Sequence, residues 1–195
     1  NAPLRAGKAT TYEGGTRVPA VVLWPGITRA HASTDSVIQS TDFFPTIAEL
    51  LNLPRPAGHV FDGRSFAAAL RGQPHERGPI FCHYPHNTPL SGGLASTYVR
   101  NGPWKLIRFY CLNPDNSDRL ELYNLTDDPG EANNLAAQLP EKARELNELI
   151  SAYLRDTEAV IPIANPNYGK KPTHRKPGSV KAPSSSLKGA TPAEN

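Results

Sequence analysis

Ser96-Thr97-Tyr98-Val99-Arg100-Asn101-Gly102-Pro103-Trp104-Lys105-Leu106-Ile107-Arg108-Phe109-Tyr110 is the stretch on which the fold turns. Two runs rich in β-branched, aromatic and aliphatic residues flank Asn101-Gly102. Both residues of that pair tolerate positive φ, so Asn-Gly between such runs predicts a β-hairpin. Downstream, Leu120–Leu125 reads as a third strand, ended by the turn Asp127-Asp128-Pro129-Gly130. Pro140 then takes the first position of a helix, where its missing N–H is no loss. Ala143, Leu146, Ile150 and Tyr153 fall on one face of that helix. Residues 95–158 are therefore expected to form a small antiparallel sheet with one packed helix.

Upstream the grammar differs. Ile80–Tyr84 is a short apolar run, and Ser65–Arg71 reads as a short helix between turns at Asp62-Gly63 and Gly72–Pro79. Ser40-Thr41-Asp42 is a helix start with an acid in the first turn. Phe44, Ile47, Ala48 and Leu51 follow at i, i+3, i+4 and i+7, and Asn52 and Pro54 stop the helix. Val18–Trp24, closed by Pro25-Gly26, has the length of a buried strand, with Pro19 among its first positions. Strand, loop and amphipathic helix make an α/β layer, so residues 1–94 are read as the last part of an α/β domain. A parallel strand at 18–24 needs neighbours from other segments. The chain alone is accordingly expected to expose apolar surface and to fold poorly outside residues 95–155.

The charge is uneven. Of the 195 residues, with a net charge of +3, the segment from Val160 onward holds five Lys, one Arg and one acid, Glu194. That segment carries +5, which leaves −2 on the rest. Its prolines (162, 166, 172, 177, 183, 192) and the Ser184-Ser185-Ser186 run leave too little apolar surface to offset ordering entropy. Residues 159–195 are read as a disordered basic tail. Tyr168 stands alone in it, so base stacking has no platform and a nucleic-acid partner is not expected. The longest apolar run has seven residues, far short of the about 20 a membrane helix needs, and no membrane association is expected. The sequence begins at Asn1, holds no Met and shows no signal-peptide pattern, from which a processed or truncated product is expected. Cys82 and Cys111 make neither a disulfide framework nor a zinc spacing. They read as small buried hydrophobes, with pairing as the alternative. Asn124-Leu125-Thr126 is a glycosylation sequon, meaningful only in a secretory context.

The segment richest in chemistry is Pro3-Leu4-Arg5-Ala6-Gly7-Lys8-Ala9-Thr10-Thr11-Tyr12-Glu13-Gly14-Gly15-Thr16-Arg17-Val18-Pro19. A phosphate-loop reading fails, because Ala9 follows Lys8 where Ser or Thr is needed. A lysine beside glycine on such a loop is either a solvated cation or a point charge placed where the backbone approaches a ligand. Glu13 and Arg17 read as a structural pair that fixes the loop. His83 and His86, at i and i+3, have no accompanying carboxylate or cysteine set, which argues against a metal site. They line a substrate pocket or pack around Pro85. Asp127 and Asp128 are turn chemistry, and the Trp104 and Tyr123 strands are core.

The same segment, running into Trp24-Pro25-Gly26, resembles the second signature region of type I, arylsulfatase-like sulfatases, a branch of the alkaline-phosphatase-like superfamily. The resemblance continues through Ser40-Thr41-Asp42-Phe43-Phe44-Pro45-Thr46-Ile47, Asp62-Gly63-Arg64-Ser65 and His83-Tyr84-Pro85-His86. Val99-Arg100-Asn101-Gly102-Pro103-Trp104-Lys105-Leu106-Ile107 follows, then Glu121-Leu122-Tyr123-Asn124-Leu125 and Asp128-Pro129-Gly130-Glu131. It covers roughly residues 1–155 in the family's order. The fold it implies is the end of the α/β catalytic domain (1–94) plus the C-terminal subdomain (95–158). The activity it implies is hydrolysis of aryl or carbohydrate sulfate esters by a formylglycine hydrate, with calcium bound to the sulfate oxygens. In that scheme Lys8 matches the late lysine that contacts the sulfate group. The partners implied are a sulfated small molecule or glycan and the remaining, N-terminal part of the same enzyme, in an extracytoplasmic setting.

The departures are as informative. No Cys or Ser here has Pro two and Arg four residues later, so the formylglycine motif is absent. The paired aspartates and the Asp-Asn pair that hold calcium are absent too. Asn1 matches a later Asn of the family pattern and not a ligand. No metal ligand is therefore expected in this chain, and by itself it is expected to be inactive. Two other readings remain open: a phosphonate or phosphate-ester hydrolase of the same superfamily, and a non-catalytic module that binds sulfated glycans.

Overall fold

The Asn-Gly hairpin forms as its turn chemistry dictates. In this computed structural model, which describes residues 1–54, 56–88 and 92–166, β2 (Ser96–Asn101) and β3 (Trp104–Phe109) pair antiparallel around Gly102, whose φ is +58°. β1 (Ile80–Tyr84) and β4 (Arg119–Asn124) complete a four-stranded antiparallel sheet in the order β1-β2-β3-β4. β1, which sequence alone grouped with the upstream part, is thus an edge strand of the C-terminal sheet. All of these elements lie in the unit Asn1–Ala164.

Alternation along the strands gives the sheet two different faces. On one, Val99, Leu106 and Leu122 sit in register across the strands and pack against α4 (Pro140–Asp156). α4 contributes Ala143, Leu146, Ile150 and Leu154, all buried. Tyr153, expected in that stripe, stacks at 4.4 Å on Phe81 and is half-buried. At the rim of this face Arg108 donates to the side chain and carbonyl of Asn147 and to Ser151 Oγ, tying the sheet to α4. The opposite face carries Ile80, Tyr98, Ile107, Phe109 and Tyr123, with Tyr12 and Cys82 packed at its edge. Against this second face lies the segment that follows Lys8, with Tyr12 packed on its apolar residues and Glu13 bonded to Lys105.

The upstream part is sparser. α1 (Glu13–Thr16) and α3 (Ala67–Leu70) are single turns, and a 3-10 turn (Ser40–Asp42) leads into α2 (Phe43–Leu50). Asp42, fully buried, organises this region. It accepts from Arg77 at 2.8 and 2.9 Å and from the backbone N–H groups of Gln39 and Arg64.

Two expectations need correction. Residues 18–24 are not a strand: no described strand pairs with them, and Val18, Val21 and Leu23 are 79–95% exposed. A strand is held by its neighbours' hydrogen bonds, and this chain supplies none there. The stripe on α2 forms at the expected spacing but is not buried, since Phe44, Ile47 and Leu51 all face outward. Both features leave apolar surface uncovered in the upstream part, as expected.

Cys82 and Cys111 are half-buried free thiols. Asp128 accepts from the N–H groups of Ala132 and Asn133, which is turn chemistry. The expected tail lies outside the described residues except at its start, where Ala159 packs on the α4 core.

Candidate functional site

Gly14 and Gly15 explain the shape of the loop that carries Lys8. A Cβ on Gly14 would sit 2.3 Å from the carbonyl oxygen of Arg5, and one on Gly15 would sit 2.2 Å from that of Thr10. Only glycine lets α1 approach the loop backbone so closely. The approach is used for bonding. Gly14 N donates to Arg5 O at 2.9 Å, Asn1 Nδ2 donates to Gly14 O at 2.7 Å, and the N–H and hydroxyl of Thr10 donate to Gly7 O. Ala6 and Ala9 bracket Gly7-Lys8 in the left-handed region, at φ 59° and 68°. Each such alanine costs about 1 kcal/mol, so the surrounding bonds hold the loop in a conformation it would not adopt alone.

Lys8 itself is exposed, and no carboxylate among the described residues pairs with it. The other two lysines before residue 166 are both ion-paired: Lys105 with Glu13 and Glu131, Lys142 with Glu145. A cation left unpaired on a braced, strained loop is available to an anion that arrives from outside.

The loop is bolted to the sheet by a polar layer that sequence reading did not find. Lys105 on β3 is fully buried. Its ammonium lies 2.8 Å from Glu13 Oε1, 3.0 Å from Glu131 Oε1 and 4.7 Å from the centroid of the Tyr98 ring. Glu131 Oε2 accepts from the backbone N–H of Glu13 at 2.6 Å, and Glu131 O accepts from Arg5 at 2.8 Å. Burial pushes the Glu131 carboxyl above its ordinary pKa, while Lys105 and the Glu13 N–H pull it down. A second cluster lies alongside. Tyr12 and Tyr123 both donate to Glu121 Oε2 at 2.7 Å, Arg119 pairs with Glu121, and Arg5 lies over the Tyr12 ring. Burial, then the bond to Glu121, raises the Tyr12 and Tyr123 hydroxyls far above their ordinary value, so both stay protonated donors. The signal that could have revealed this layer is position. Lys105 sits at an inward-alternating place of β3, where Ile107 and Phe109 are otherwise apolar. Arg17, expected to pair with Glu13, reaches it only at 3.9 Å and is half-exposed, so Lys105 is its main partner.

The two histidines are separated by the sheet's alternation. His83 lies on the α4 side, with Nδ1 2.7 Å from Thr97 Oγ1, Nε2 3.0 Å from Val160 O, and its ring against Tyr110. Both ring nitrogens are taken. His86 is exposed, follows β1, and packs edge-on against Tyr84. The loop that follows it closes by the Thr88–Gly93 bridge and touches the Lys8 loop: a Cβ on Gly93 would lie 2.1 Å from Ala9 O. Lys8 and His86 thus sit on adjoining loops, whereas His83 faces away. Among the described residues no three His, Cys, Asp or Glu side chains form a cluster that could hold a metal ion. No described helix is long and apolar enough to cross a membrane.

Comparison with known proteins fits this geometry. The family profile for N-sulphoglucosamine sulphohydrolase, C-terminal, matches residues 7–159, from the residue before Lys8 to just past α4. A sulfatase of Formosa agariphila is 34% identical over 192 residues, covering 90% of this chain and 34% of that protein. Human arylsulfatase A is 32% identical over 167 residues, covering 75% and 32%. The N-acetylgalactosamine-6-O-sulfatase of Bacteroides thetaiotaomicron is 29% identical over 157 residues, covering 76% and 29%. Among solved structures, a protein from a core genetic locus for metabolism of multiple glycosaminoglycans in that bacterium superposes with a TM-score of 0.59 at 28% identity. It covers 77% of this chain and 32% of that one. The chain spans about a third of the length of the relatives it matches. By this match, which takes in the Lys8 loop, the sheet and α4, the chain belongs to the sulfatase family, of which it represents the C-terminal part.

Proposed function

We propose that this chain is the part of a sulfuric ester hydrolase that supplies the sulfate-contacting lysine, Lys8, and one wall of the substrate pocket. The observation that carries the reading is an exposed, unpaired ammonium on a loop braced by Gly14, Gly15 and the buried Glu13–Lys105–Glu131 trio. A cation held there without reorganisation is worth most where charge develops, on the sulfate oxygens and the departing ester oxygen. His86, on the adjoining loop, is the histidine in reach of the substrate's alcohol half. His83 is given no such contact, because its ring nitrogens are occupied.

No Cys or Ser of the chain heads a formylglycine motif, and no metal-holding cluster of His, Cys, Asp or Glu is found among the described residues, so we assign the nucleophile and the Lewis acid to the remainder of the protein. The chain by itself then turns over no sulfate ester. Its substrate class is an aryl or carbohydrate sulfate, supported by relatives named for both, and the family resemblance implies an extracytoplasmic setting. The uncovered apolar residues at 18–24 and on α2 are where the remainder would pack.

Sequencing the source DNA upstream of the Asn1 codon tests the assignment. An in-frame segment that encodes Cys/Ser-x-Pro-x-Arg and the Asp-Asn pair supports it. An in-frame Thr or unmodified Ser in place of that motif points to a phosphate- or phosphonate-ester hydrolase, and a stop or unrelated gene to a glycan-binding module. Either of these overturns the sulfatase reading.

A further inference from the structure

We propose that Glu131, with Lys105 behind it, is a positioning residue for Lys8, an inference that rests on the sulfate-contacting role given to Lys8 above. Glu131 lies in the connection between β4 and α4, 126 and 118 residues in sequence from the two loop residues it contacts, yet it grips that loop at both ends. Its carbonyl oxygen takes the guanidinium of Arg5, three residues before Lys8, at 2.8 Å. Its carboxylate takes the N–H of Glu13, five residues after Lys8, at 2.6 Å. A single residue thus spans the base of the loop from the sheet side, by its backbone carbonyl at one end and its carboxylate at the other, and its own φ is 50°.

Lys105 makes this grip possible. Two fully or nearly buried carboxylates, Glu13 and Glu131, would repel each other. The ammonium between them, with Arg100 3.5 Å from Glu13, brings the buried charge to zero. Buried ion pairs of this kind often contribute little to stability compared with apolar groups of the same shape, and some serve to specify geometry instead. The geometry specified here is the height and angle of the Lys8 loop over the sheet. Apart from the single turn α1, no helix or strand holds that loop, and a displacement of roughly 1 Å at a reacting group lowers turnover by about 100-fold.

The test uses the full-length enzyme that contains this segment, with a chromogenic sulfate ester. Lys105→Met together with Glu131→Leu removes both charges and keeps their volume. Glu13 loses its nearest cation and keeps only Arg100 at 3.5 Å and Arg17 at 3.9 Å, so the melting temperature should fall, and turnover is read well below the melt. Turnover should fall between about 10- and 100-fold while KM changes less than about threefold, because the substrate-binding surface is untouched. Arg5→Gln loosens only one end of the loop from outside the buried trio. It should lower kcat by about three- to tenfold in a protein that melts normally, and it decides the matter should the double variant not fold. A folded double variant with parental kcat, or an Arg5→Gln enzyme with parental kcat, overturns the positioning role. Lys8→Ala runs beside them. If it lowers kcat and the others do not, the positioning proposal alone fails. If it leaves kcat unchanged, the role of Lys8 fails first and the positioning proposal with it.

Discussion

Gly14→Ala sets two effects of opposite sign against each other. Gly14 lies in α1, and by helix propensity alone alanine should stabilise that turn by up to about 1 kcal/mol. The packing says otherwise. The new methyl would meet the carbonyl oxygens of Arg5 at 2.3 Å and Ala6 at 2.5 Å, both backbone atoms that cannot rotate away. Cβ contacts essentially never fall below 3.0 Å, so the Lys8 loop must retreat by roughly 0.7 Å. That retreat stretches the Gly14 N–H bond to Arg5 O and the Asn1 bond to Gly14 O. Overpacking on this scale costs about 1–3 kcal/mol, which exceeds the propensity gain. The assay is urea unfolding followed by tryptophan fluorescence, with Gly102→Ala as comparison. Gly102 has open space around its Cβ position but a φ of +58°, so alanine there should cost about 1–2 kcal/mol through backbone conformation alone and leave the Lys8 loop in place. Gly14→Ala should move both stability and, if the proposed role of Lys8 holds, sulfate turnover by the full-length enzyme, Gly102→Ala stability only. A Gly14→Ala protein as stable as the parent would refute the reasoning, because it would show that the loop is not held against α1.

Four further outcomes follow from the packing. Ile150→Ala, at a fully buried position of the α4 core, should lower unfolding free energy by about 3 kcal/mol in the same urea assay. Arg77→Met strands the buried Asp42 carboxylate and should cost about 3–5 kcal/mol. Burial works against that carboxylate, but the bonds from Arg77, Arg64 N and Gln39 N outweigh it and hold its pKa below the ordinary value. Its stabilisation is therefore complete above about pH 4 and lost as pH falls through the lowered folded value, so the acid limb of a stability-versus-pH curve should flatten in Asp42→Asn. Val21→Ser with Leu23→Ser should change the stability of this chain by less than about 0.5 kcal/mol, since both side chains are already in water. A larger loss would place those residues in a core.

What could be read from sequence was local, and what could not was relational. Asn101-Gly102 carries its own turn chemistry, and the 3.6-residue spacing of Ala143, Leu146 and Ile150 carries its own face, so hairpin and helix were legible. Ile80–Tyr84 was legible as a strand but not as the edge of this particular sheet, because partner choice depends on register with β2. Val18–Trp24 has the composition of a buried strand, but composition does not supply the neighbours that make one. Lys8 could be singled out only by its resemblance to a family motif, since a loop lysine has no periodicity. The grip on it escaped notice because its members lie far apart in sequence: Glu13 read as half of a loop pair, Lys105 as part of a core strand, and Glu131 only as the end of a family motif. Burial of a lysine with two glutamates is a property of the fold, and alternation on β3 was the one clue to it.

The decisive measurement is turnover of 4-nitrophenyl sulfate and 4-nitrophenyl phosphate by the full-length enzyme, with and without Lys8→Ala. Lys8 as the sulfate-contacting cation predicts that sulfate is the preferred ester. It also predicts that Lys8→Ala lowers kcat by about 100- to 1,000-fold in a protein that melts like the parent. A variant with undiminished sulfate turnover, or a parent enzyme that prefers phosphate, would contradict it.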